Sequence, residues 1–192
     1  MTSSSTTTPP VDRPVAGESV GTIDASCRWP VLGLYYGAAF WLVVAMAAAL
    51  LASMSFHAPA MFADCPTLSY GRVAPVATMA LLYGFCIQAG WATALWMLAR
   101  LSRTRLQNQA LLMVGGKIYN IGLFVGIIGI LVSGPEGYEL MELPVYASWI
   151  LWVGALMVAV GGWNTLRRHG DGDMHPTQWF AGLAMLWLPW AH

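Results

Sequence analysis

The chain is divided by four long apolar runs, and these constrain its fold more than any other feature. They cover residues 30–55, 76–99, 111–133 and 145–165, and Lys117 is the one charge inside them. Each run matches or exceeds the ~20 residues that cross a ~30 Å hydrocarbon core at 1.5 Å per residue. In lipid every backbone amide needs an internal partner, which leaves helices or a closed barrel. Barrel strands would show apolar-polar alternation over ~10 residues, and no such alternation is present. The expected fold is therefore all-α: a polytopic transmembrane bundle of four full spans plus a partial fifth.

Composition agrees. Hydrophobic residues make up 57% and charged residues 9% of the 192 positions, against about 25% charged in soluble domains. So few charges cannot cover a water-facing globule. The chain is one domain, and its net charge of zero points away from nucleic acid or another polyanion. Ten Trp, seven Tyr and eleven Met suit a bilayer protein; Trp29, Tyr35, Trp41, Trp149 and Trp163 near the run ends read as interfacial anchors.

The first 24 residues are rich in Ser, Thr and Pro and lack the apolar core of a secretory signal. Residues 1–28 are expected to form a disordered cytoplasmic tail, because such a composition buries too little apolar surface to offset ordering entropy. The final run, 177–192, has about 16 residues with Pro189 in its last turn. It either lies at the interface or is part of a spanning helix.

Loop charges orient the bundle. The loop between spans two and three holds Arg100, Arg103 and Arg105, and the one after span four holds Arg167 and Arg168. The loop between spans three and four carries Glu136, Glu139 and Glu142 with no base, and the first loop is mixed, with Asp64 and Arg72. The positive-inside rule then puts the N-terminus in the cytoplasm.

Ionisable groups within spans mark function by default, and here Lys117 stands alone. It is expected to snorkel to the interface, with a proton-path or lipid-contact role as the alternative. His57, His169, His175 and His192 share no helix face, so no metal site is expected. Cys27, Cys65 and Cys86 form no metal motif and no C-x-x-C-H haem attachment; they are expected to be unpaired and buried. Gly122, Gly126 and Gly129, with Gly115 before them, line one side of span three at a spacing that lets helices approach closely.

Two segments carry a family resemblance. Residues 68–85 read LSYGRVAPVATMALLYGF, and residues 119–146 read YNIGLFVGIIGILVSGPEGYELMELPVY. With the closing Q-W-F-x6-W-x-P-W of 178–190, they resemble the N-terminal part of the catalytic subunit of cbb-type haem-copper cytochrome c oxidases. The resemblance implies haem b, a respiratory complex that passes electrons from cytochrome c to oxygen while pumping protons, and a bacterial cytoplasmic membrane. It also implies a haem-ligating His two residues after Pro75, where this chain has Ala77, and a second Arg at Ala74. Alanine cannot ligate iron; Met79 is nearby but reads as a packing residue. The expectation is a non-catalytic membrane subunit with no catalytic residue of its own, with Arg72 as the candidate contact for a haem propionate. Its partners would be lipid, the other oxidase subunits and, through them, cytochrome c. A fragment, a split subunit and a degenerate paralogue are all compatible with these departures. The alternative function is a scaffold or assembly protein that binds partner helices through Gly122, Gly126 and Gly129. A small transporter ranks last, for want of buried charge and inverted repeats.

Overall fold

The computed structural model describes residues 19–62, 64–168 and 174–191. His169, His192 and residues 1–18 of the expected tail lie outside the described residues. Four long helices are present: α1 (Val20–His57), α2 (Tyr70–Leu101), α3 (Gln109–Ser133) and α4 (Val145–Arg167), each long and apolar enough to cross a membrane. A shorter helix, α5 (Pro176–Trp187), continues into a 3-10 turn, Leu188–Ala191. No strand occurs among the described residues.

α1 begins at Val20, ten residues before the apolar run that marked it. Tertiary partners hold this polar first part. Ile23 and Cys27 are buried, and Ser26 Oγ accepts the Leu106 backbone N–H at 3.0 Å. The Arg100 guanidinium donates to both Asp24 carboxylate oxygens, each at 2.8 Å. Pro30 lies inside the helix, as lipid-embedded helices tolerate.

The two ends of the bundle differ in charge. At the basic end the connection between α2 and α3 is fastened to its surroundings: the Gln107 N–H donates to Thr165 Oγ1 at 3.1 Å, and Gln178 Nε2 to Ser102 Oγ at 3.1 Å. Three arginines lie over indole rings there, Arg28 on Trp29, Arg100 on Trp96 and Arg167 on Trp163, at 5.4–6.0 Å, within the range of cation–π attraction. The opposite, acidic end carries the 134–144 loop. There Gly134, Gly137 and Leu140 take positive φ, and Tyr83 Oη donates to the Leu140 carbonyl at 3.0 Å. Partial burial, together with the charge of Glu139, pushes the Glu142 carboxyl above its usual range.

α5 stands within the bundle. Gly182 faces Leu166 and Gly162 faces Met185, while Pro189 and Trp190 share a cavity wall with Trp149 and Trp152. That register is antiparallel to α4. The helix and its 3-10 turn together rise about 26 Å. The three cysteines are unpaired, but only Cys27 is buried; Cys86 is exposed on the helix surface, because an apolar thiol in a lipid-facing helix needs no protein cover.

Candidate functional site

The glycine side of α3 packs against α4. A Cβ at Gly122 would lie 2.9 Å from the Leu151 nitrogen, and one at Gly126 2.7 Å from a Leu143 methyl. Gly129 meets Pro144 and Tyr146, and Gly115 meets Met157 and the Gly154 carbonyl. Lipid tails are as apolar as leucine, so helices in a bilayer associate through close van der Waals contact. This face is covered by the chain's own α4, and a partner helix would have to use another surface.

A polar knot lies deep between α1, α2 and α3. Asn120 Oδ1 accepts from Trp41 Nε1 at 2.6 Å and from Gln88 Nε2 at 3.1 Å. Asn120 Nδ2 donates to Gln88 Oε1 at 3.0 Å and to the Gly116 carbonyl at 2.7 Å. Gln88 is fully buried, and Gly37 leaves room for it: a Cβ there would sit 2.5 Å from Gln88 Oε1. Both amides are thus satisfied inside the protein, as buried polar groups require. Trp41 is 2% exposed, so its reading as an interfacial anchor is corrected. Its indole fills the gap that Gly84 leaves and donates inward. Trp29 and Trp149, in contrast, are 69% and 65% exposed.

Beside the knot α2 changes winding. Residues Ala80–Cys86 form a π-helical segment, a form that appears mostly as short insertions at functional sites. Tyr119, fully buried, donates its hydroxyl to the Tyr83 carbonyl at 3.2 Å. Its ring meets Trp91 edge-on at 4.8 Å. Asn120, Gln88 and the π segment carry no charge, so the rule that ionisable groups in spans mark function does not reach them. Two neutral amides in otherwise apolar runs were the available signal.

The positions matched to a haem environment lie along the start of α2. Arg72 Nη1 donates to the carbonyls of Leu131 and Val132, at 2.7 and 3.0 Å. This places a cation on the last carbonyls of α3, where the helix dipole favours positive charge. Ala77, half-buried, packs on the apolar core, and Met79 is fully buried within it. The His57 ring bonds the Ser53 carbonyl of its own helix at 2.8 Å. Among the described residues no three His, Cys, Asp or Glu side chains gather as a metal site. Ala77, the position matched to a haem-ligating His, carries a methyl group and no donor atom.

This geometry defines a class, the polytopic α-helical integral membrane protein. Comparison with known proteins narrows it. The chain is 26% identical over 165 residues to a cytochrome c oxidase subunit 1 homolog of Azorhizobium caulinodans, a match covering 83% of this chain and 29% of that protein. It is 26% identical over 157 residues to a bacteroid cytochrome c oxidase subunit 1 homolog of Bradyrhizobium diazoefficiens, covering 79% of this chain and 28% of that protein. The chain thus spans less than a third of the length of the curated relatives it matches. No family model and no solved structure matches it.

Proposed function

We propose that the chain is a membrane subunit of a respiratory terminal oxidase, with its helices packed around haem sites whose ligands come from elsewhere in the complex. The observation that carries this reading is the similarity to two subunit 1 homologues across about four fifths of the chain. In the complete complex electrons would pass from cytochrome c to oxygen with protons pumped, and this chain alone would be non-catalytic. Its basic end faces the cytoplasm of a bacterial inner membrane, following loop charge.

Haem b would lie near the chain without being ligated by it, since Ala77 supplies no donor. Arg72 supports a contact with the propionate: a guanidinium has five N–H donors, and the described bonds to α3 use Nη1. The same alanine favours a second reading, a scaffold or assembly protein seated beside the oxidase. With the glycine face covered, such a protein would engage its partner through exposed apolar positions of α1 such as Tyr36, Phe40 and Val43.

Affinity purification of the tagged chain from its native membrane, in a detergent that keeps the oxidase intact, tests the reading. The expected result is fixed-stoichiometry recovery of other oxidase subunits, with cytochrome c oxidation in that fraction. A chain that emerges alone, while the oxidase remains whole in the unbound fraction, would refute it.

A further inference from the structure

A groove of about 340 Å³ runs between α1 and α3 in the half of the bundle nearer the basic end. Its walls include Gly33, Leu34, Leu112, Met113 and Gly116, with Trp29 and Tyr36 at the rim. Trp29, Tyr36 and Met113 are 69%, 73% and 41% exposed, so the groove opens sideways toward lipid. Gly116 forms its floor, where a Cβ would lie 3.1 Å from a Leu34 methyl.

Lys117 also lines this groove. It sits eight positions after Gln109, about 12 Å along the helix axis. No carboxylate is among the lining residues. Asp24, at the same end, is already held by Arg100 in an ion pair. The other polar side chain on the deep wall, Asn120, has its amide committed to Trp41, Gln88 and Gly116. An occupant therefore meets an ammonium that only donates, apolar walls, and Arg28 stacked at 6.0 Å on the rim residue Trp29.

We propose that the groove between α1 and α3 is a binding site for one acidic phospholipid, its phosphodiester on Lys117 extended toward the basic end and an acyl chain running inward past Leu34, Gly116 and Tyr36. A charge in a lipid-facing helix calls for a partner, and basic pockets between helices on the cytoplasmic side recognise anionic headgroups. A quinone or other neutral amphiphile would fill the walls but leave the cation uncompensated. The site does not depend on the oxidase reading, since it uses only this chain and lipid.

Native mass spectrometry of the full chain in detergent tests the proposal, with titration by phosphatidylglycerol and by phosphatidylcholine of matched acyl chains. The first phosphatidylglycerol should bind about fivefold more tightly than phosphatidylcholine, the scale of one basic residue at an anionic surface. Lys117→Gln should remove that preference, and Lys117→Arg should retain it. Equal binding of the two lipids by the unaltered chain would overturn the proposal, as would a preference that survives Lys117→Gln. If Lys117→Gln does not fold, diacylglycerol becomes the deciding ligand. It lacks the phosphate, so binding by the unaltered chain as tight as phosphatidylglycerol refutes the site, and fivefold weaker binding supports it.

Discussion

Gly154→Leu will leave little or no folded protein, while the same change at Gly90 will be tolerated. A Cβ at Gly154 would lie 2.7 Å from the Tyr119 nitrogen and 2.9 Å from the Gly115 carbonyl oxygen. Both are backbone atoms of α3, so no rotamer change can relieve the overlap and the helices must separate. Separation also opens the contacts at Gly115, Gly122, Gly126 and Gly129 along the same seam. Overpacking a well-packed core costs about 1–3 kcal/mol, and Gly154→Ala should fall in that range. Leucine adds three more carbon atoms in the same direction and should exceed it. Gly90, in the middle of α2, is exposed, and a Cβ there would have nothing within 4 Å of it. Thermal melting and size-exclusion profiles in one detergent would compare the variants. Equal melting of the Gly154→Leu and Gly90→Leu proteins would contradict the seam between α3 and α4.

Asn120→Leu should be nearly as damaging, and a second mutation should partly repair it. The substitution strands the Trp41 N–H and both ends of the Gln88 amide, groups that now bond Asn120 at 2.6–3.1 Å. A buried polar group left without a partner costs about 1–3 kcal/mol. Hydrogen bonds between membrane helices reach about 1.7 kcal/mol each, so a total near 3 kcal/mol is expected. Gln88→Leu alone should also destabilise, because it leaves Asn120 with half its hydrogen bonds. The double Gln88→Leu/Asn120→Leu protein should be well more stable than the sum of the two losses implies, since removing both partners leaves fewer orphaned groups. Unfolding free energies of the four proteins close that cycle. Losses that simply add would mean that the two amides do not depend on each other.

The spans were legible in the sequence because a bilayer offers a long apolar segment one structure. The α3 glycines were legible for a similar reason: positions 122, 126 and 129 fall on one side of any helix. Their partner was not, since nothing in a glycine names the helix it meets. The early start of α1 was hidden by its polar residues. It is held by Leu106 and Arg100, 80 and 76 positions from Ser26 and Asp24. Trp41 sits in a run of apolar residues, and its composition fits a membrane interface as well as a core. Its burial follows from Gly84 on α2 and Asn120 on α3, contacts that exist only after the helices cross. The π turn has no compositional mark beyond that glycine. Ala77 was the reverse case, a single substitution visible in sequence whose packing the structure then supplied.

Ala77 carries the central claim: a chain similar to oxidase subunit 1 homologues offers no ligand to iron at this position. The reduced-minus-oxidised spectrum of the purified chain, measured beside its haem-to-protein ratio, tests this directly. The expected result is no b-type band that stays with the chain once other subunits are removed. One b-type haem retained per isolated chain would contradict it.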